Sequence, residues 1–195
     1  MNDRYTKTAI LLHWLIALGI FTMFGLGWFM GELPKEAPAQ MSYDLFNMGV
    51  YTWDLAKEAS PRAFYFNLHK SIGVTILALI VIRILWRISH KPPALPAAIK
   101  AWENKLSKGT HHLLYLLMFA MPVSGLIMAV SSKYGVKWFG MKLIPGIDSE
   151  MLRDVFHEVH EIVGIILFLL VVLHLVGALK HKLIDKDDIM KRMLP

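Results

Sequence analysis

The stretch from position 157 to position 174 reads HEVHEIVGIILFLLVVLH. It opens like a zinc-protease helix and continues as an apolar run. A zincin helix needs H-E-x-x-H, with the two histidines at i and i+4 on one face. Here the second histidine comes at i+3, and Glu161 occupies the position a histidine would need. The longer spacing carries more information. His160 and His174 are 14 residues apart. On an α-helix that is almost four whole turns, so both rings leave one face, about 21 Å apart along the axis.

The rest of the chain shares this apolar character. Its 195 residues are 55% hydrophobic, with a mean hydropathy of +0.47, too apolar for an ordinary soluble domain of this length. It contains no cysteine. That excludes disulfides, Cys-ligated zinc, iron–sulfur clusters and thioether-attached haem.

Four long apolar runs lie near 8–30, 66–86, 113–130 and 155–179. A membrane span needs about 20 apolar residues. Buried helices of a soluble bundle keep a polar face, and these runs have almost none. The expected fold is all-α: an integral membrane four-helix bundle forming a single domain over 1–195. Pro122, in MPVSG, removes a backbone hydrogen bond and predicts a kink in the third span. The first run follows Arg4 and Lys7 and precedes APA at 37–39, but it is longer than the ~7–15 residues of a signal-peptide core. It is read as a retained helix.

Charge placement sets the orientation. The N-terminal tail, the 87–111 connection and the C-terminal tail share one side. With Arg83 they hold most of the 21 Lys and Arg, which predicts both termini in the cytoplasm. The net charge of +6 is therefore a topology signal, and nucleic-acid binding is not expected. The connections differ in length. Residues 31–65 form a long outer loop whose middle, YDLFNMGVYTWDLAK, mixes aromatics with charges and suggests a short interfacial helix. The proline-rich 88–100 stretch reads as a loop.

Topology supplies partners for His160 and His174. His13 lies near the inner end of the first span, level with His174. His69 lies near the outer end of the second, level with His160. Each of the four has a small residue one turn on (Ala17, Gly73, Gly164, Ala178), leaving space for a flat macrocycle. Two neutral imidazoles at one depth can take the two axial positions of a haem iron. The plainer alternative is helix-packing histidines that hydrogen-bond across the bundle. Four intramembrane histidines at matched depths favour function, because polar side chains in hydrocarbon are costly.

The chain resembles the bacterial four-helix cytochrome b561 family, related to the b-type cytochrome subunits of nickel-iron hydrogenases and formate dehydrogenases. The resemblance covers nearly the whole sequence. It rests on LLHWL, NLHKSIGV, IRILWR, LLYLLMFAMPVSGLIM and HEVHEIVGIILFLLVVLHLVGALKHKLIDKDDIMKRMLP. It implies two non-covalent b haems with bis-histidine ligation, carried onto the pairs His13–His174 and His69–His160. It also implies electron transfer at the bacterial inner membrane, with the quinone pool as partner and superoxide as a candidate donor. The 31–65 loop departs from the family, where this connection is much shorter.

Haem propionates are anionic and want cations at the membrane faces, which points to Lys70 and Arg83. His111 and His112, opening the third span, are candidates for a quinone or proton role, although interfacial histidines are commonly only solvated. Two further function classes stay open. One is an anchor subunit of a periplasmic dehydrogenase or hydrogenase, which differs in its partners. The other is a haem-free metal or proton transporter using the same histidines. Expected partners are membrane lipid, quinone and a periplasmic electron donor, and a homodimer is one admitted assembly.

Overall fold

The computed structural model describes residues 4–45, 48–49, 51–94 and 100–194. Four long helices dominate it: α1 (Lys7–Gly31), α2 (Pro61–Ser89), α3 (Ala101–Ser131) and α4 (Glu150–Lys180). Each is long and apolar enough to cross a membrane. In hydrocarbon every backbone polar group must be satisfied within the segment, and a helix does this. Hydroxyls inside the spans follow the same rule. Thr22 donates to Leu18 O at 2.9 Å, Thr75 to Ser71 O at 3.0 Å, and Ser131 to Ile127 O at 2.8 Å.

Local chemistry explains where the helices start. The Thr6 hydroxyl accepts from Ala9 N at 3.2 Å and caps α1. Ser60 accepts from Ala63 N at 3.2 Å and caps α2, with Pro61 in the first turn, where its missing N–H costs nothing. α3 begins twelve residues before the apolar run at 113 and continues unbroken through Pro122. Its first turns, AWENKLSKG, are too polar for a span but rich in good helix formers.

Among the described residues, close backbone packing joins α1 to α2, α2 to α3 and α3 to α4, whereas α4 is not closely packed along α1 or α2. Gly19 lets α1 approach α2: a Cβ there would meet Ile76 Cδ1 at 2.9 Å. Ile16, Ile76 and Ile80 fill that contact, and Leu114, Leu117 and Leu167 fill the one between α3 and α4. Of α4 only Gly164 and Leu167 are buried. Leu169, Val172, Leu173 and Val176 are exposed. In water each such side chain would forfeit about 1.5–3 kcal/mol of burial, so this surface belongs against lipid.

The expectation of a short helix in the 31–65 loop is corrected. The loop holds an antiparallel hairpin, β1 (Gln40–Asp44) with β2 (Thr52–Ala59), in which Ser42 pairs with Asp54 and Tyr43 with Trp53. β-branched and aromatic residues favour the pleated form, and Gly49, at φ +66°, supplies a turn conformation that most residues resist. Residues 46, 47 and 50 of this loop lie outside the described residues, as do 95–99 of the proline-rich connection. A second hairpin, β3 (Val136–Trp138) with β4 (Met141–Ile144), joins α3 to α4.

Both hairpins sit at the face opposite the termini. Tyr43 stacks on Phe64 at 4.4 Å, Trp53 stacks on Phe139 at 6.1 Å, and Trp138 Nε1 donates to Thr75 Oγ1 at 3.0 Å. At the termini face, a π-helical turn at His181–Asp185 ends the α4 segment and the chain doubles back. Trp14 Nε1 donates to Met193 O at 2.8 Å, and Arg4 to Leu194 O at 2.5 Å. These bonds strap the C-terminal segment across the end of α1.

Candidate functional site

The seam that α4 leaves along α1 and α2 contains the four histidines. Near the termini face, the His13 and His174 ring centroids are 6.3 Å apart. Near the hairpin face, those of His69 and His160 are 6.4 Å apart. An axial imidazole nitrogen lies about 2.0 Å from a metal and roughly 1.1 Å from its own ring centre, so two collinear imidazoles on one metal put their centroids about 6.2 Å apart. The centroid spacing of both pairs matches that value. The third close pair falls short: His111 and His174 are 5.3 Å apart. All three pairs have steeply crossed ring planes, at 69°, 74° and 84°, so the spacing is what separates them.

The surroundings of His160 fix its tautomer. Ser124 donates its hydroxyl hydrogen to Met121 O at 2.8 Å. Its oxygen therefore receives the Nδ1–H of His160, at 3.0 Å. Nε2 is left with the lone pair a metal requires. Next to Ser124, Gly125 makes room for the ring, since a Cβ there would lie 2.9 Å from His160 Cε1. Across the seam, a Cβ on Gly27 would meet His69 Cε1 at 3.7 Å. His69 Nδ1 is buried and has no hydrogen-bond partner among the described residues.

The small residues noted beside the histidines border this seam. A Cβ on Gly73 would meet Met23 Cε at 3.6 Å, and one on Gly164 would meet Met121 Cε at 3.2 Å. Both neighbours are ends of flexible thioether side chains, which repack at low cost. Paired imidazoles at bridging distance, one of them held in the ligating tautomer, with movable methionines beside glycines, fit a bis-histidine haem at each level.

The two candidate cations are placed differently. Arg83 donates from Nε to Tyr115 Oη at 3.2 Å and from NH1 to Ala9 O at 3.2 Å, and its NH2 lies 3.3 Å from His13 Nδ1. Lys70 is half-buried beside His69, with no carboxylate partner among the described residues. His111 directs Nδ1 to Ser107 O at 2.6 Å and His112 directs its own to Lys108 O at 2.7 Å, so in both rings Nε2 is the nitrogen without a hydrogen bond among the described residues. Sequence reasoning missed Ser124, Gly125 and Tyr115. The MPVSG segment was visible, but a serine in an apolar run usually bonds only to its own helix. The cross-helix partner appears only in three dimensions.

A family model described as prokaryotic cytochrome b561 matches residues 4–195. The chain is 32% identical over 194 residues to Cytochrome b561 homolog 2 of Escherichia coli (strain K12), covering 98% of this chain and 92% of that protein. It is 24% identical to Cytochrome b561 homolog 1 of the same organism, over 99% and 98% of the two chains. A Yersinia pestis protein named Probable superoxide oxidase CybB is 25% identical over 198 residues, covering 100% of this chain and 98% of that one.

Proposed function

We propose, for a chain that belongs to the prokaryotic cytochrome b561 family, that it binds two b haems and moves electrons between the two faces of the bacterial inner membrane. One haem is held by His13 and His174, the other by His69 and His160. The observation that supports this is the pair of centroid spacings, 6.3 and 6.4 Å, at two levels of one seam. Haem iron, when bound, supplies one-electron redox chemistry. The chain supplies ligands, orientation and an apolar surround.

Several residues have definite tasks in this reading. Ser124 keeps the proton of His160 on Nδ1. Arg83 is a donor only, so its contact with His13 places that ring's single proton on Nε2. If His13 held a haem through Nε2, its proton would sit on Nδ1, and the Arg83 N–H now facing that nitrogen would be available to a propionate. Arg83 stays anchored meanwhile by Ala9 O and Tyr115. Lys70 serves a propionate at the other face. Along α4 the two ligand levels are about 21 Å apart, and a haem held at each level would supply the redox centre from which an electron passes to the other. No acid–base residue is needed for transfer between the two levels.

The termini lie in the cytoplasm and the hairpins in the periplasm, following the bias of Lys and Arg. The electron acceptor is a membrane quinone, and the donor is superoxide, the substrate class in the name of the Yersinia pestis relative. Two superoxide anions each give up one electron and leave as dioxygen. The quinone takes both electrons with two protons and leaves as quinol. With Lys70 given to a propionate, Lys137 beside it leaves the hairpin side the positive charge that attracts a small anion.

The test is superoxide-driven quinone reduction by purified protein of measured haem content. Two haems per chain with stoichiometric quinol formation support the reading. Two haems with no quinol would remove superoxide or quinone while leaving the cytochrome intact.

A further inference from the structure

At the termini face a cleft of about 190 Å³ opens between α1, α2, α3 and the C-terminal strap. Four cations line it, Arg4, Arg83, Arg87 and Lys91, and no acidic residue does among the described residues. None of the four has a carboxylate partner among the described residues. Arg83 is half-buried at the end nearest His13, and its bonds go to Ala9, Tyr115 and His13. The other three are exposed. Arg87 lies over the Tyr115 ring at 5.3 Å. Lys91 makes no hydrogen bond among the described residues. Four like charges around one partly buried cleft repel each other in a medium of reduced dielectric.

An anion relieves that repulsion, and the position of the cleft says which kind. Its wall includes Trp86, whose Nε1 donates to Thr6 Oγ1 at 2.9 Å, an aromatic at the level where apolar and wet surfaces meet. The same turns of α2 expose Leu85 and Ile88 as apolar surface. Charge for a phosphate therefore lies next to surface for an acyl chain. Basic pockets between membrane helices on the cytoplasmic side suit anionic lipid headgroups. We propose that this cleft binds the phosphate of an acidic membrane phospholipid, with Arg87, Lys91 and Arg4 as its charge contacts, separate from the haem role given to Arg83.

The experiment uses the haem-loaded, delipidated protein in neutral detergent. It is titrated with phosphatidylglycerol and with phosphatidylcholine and read by native mass spectrometry. Phosphatidylglycerol should bind in clear preference, and the double variant Arg87→Gln/Lys91→Gln should lose that preference by roughly 30-fold. The haem spectrum should not change, and Arg87→Lys should keep most of the binding. Unchanged phosphatidylglycerol binding in the double variant overturns the proposal. So does displacement by millimolar inorganic phosphate, which would make this a soluble-phosphate site. Loss of a haem component in the double variant also overturns it, by assigning these cations to the cofactor's carboxylates.

Discussion

Gly125→Ala probes the site through a single methyl group. The added Cβ would sit 2.9 Å from His160 Cε1 and 3.2 Å from Nδ1. Carbon atoms prefer a separation of at least ~3.5 Å, so the ring must retreat by about 0.6 Å. Metal–ligand distances tolerate only about 0.2 Å. The same movement stretches the Ser124–His160 hydrogen bond beyond its present 3.0 Å. A weakened ligand with a weakened supporting bond should lower affinity for the hairpin-side haem by ~10- to 100-fold, or about 1.4–2.7 kcal/mol. Helix propensity pulls the other way, since Ala is better than Gly by about 1 kcal/mol in a helix interior. The two effects separate in the readout. Haem-to-protein ratio and the reduced-minus-oxidised spectrum should lose the hairpin-side component, while helical content and thermal stability of the haem-free protein hold or rise. Gly109→Ala is the control, because a Cβ there meets nothing within 4 Å. If Gly125→Ala kept both haems with an unchanged spectrum after dilution or competition with apo-haem acceptors, the placement of His160 against α3 would be refuted.

Ser124→Ala should cost the hairpin-side haem about tenfold in affinity and shift its midpoint potential, with Ser124→Thr restoring both; redox titration checks this. His69→Ala and His160→Ala should remove the same spectral component, and His13→Ala and His174→Ala the other; loss of one component by His13→Ala and His69→Ala alike would break the pairing. His111→Ala should keep both haems and slow quinone turnover, measured against the spectrum of the same sample, whereas loss of a haem would make α3 a ligand donor. Gly135→Ala should destabilise the β3–β4 hairpin by more than ~2 kcal/mol, because Gly135 has φ +64° and a Cβ there would meet Ile144 O at 2.3 Å; proteolysis of the 132–149 segment reads the effect.

Much of this arrangement is legible in the sequence for physical reasons. Hydrocarbon thickness imposes a minimum apolar length, so the four spans show as runs, and alternating topology places His13 level with His174 and His69 level with His160. Where helices end is less legible. Hydropathy reports the membrane, whereas α3 continues into water from Ala101, because Glu, Lys, Leu and Ala hold a helix there without lipid. The 40–59 hairpin was hidden because alternation is short: Trp53 and Leu55 alternate with exposed Thr52, Asp54 and Ala56, but residues 40–42 and 56–58 are all exposed. Its stability comes from distant aromatic contacts such as Tyr43 on Phe64 and Trp53 on Phe139. Ser124 and Gly125 stayed hidden for a related reason. Their importance lies in what faces them from α4.

The central claim is that the two histidine pairs each hold one b haem. It is tested most directly by haem quantification and a reduced-minus-oxidised spectrum on protein expressed with ample haem supply. Two haems per chain are expected, extractable by acidified organic solvent because the chain has no cysteine for a thioether bond. One haem or none would contradict it.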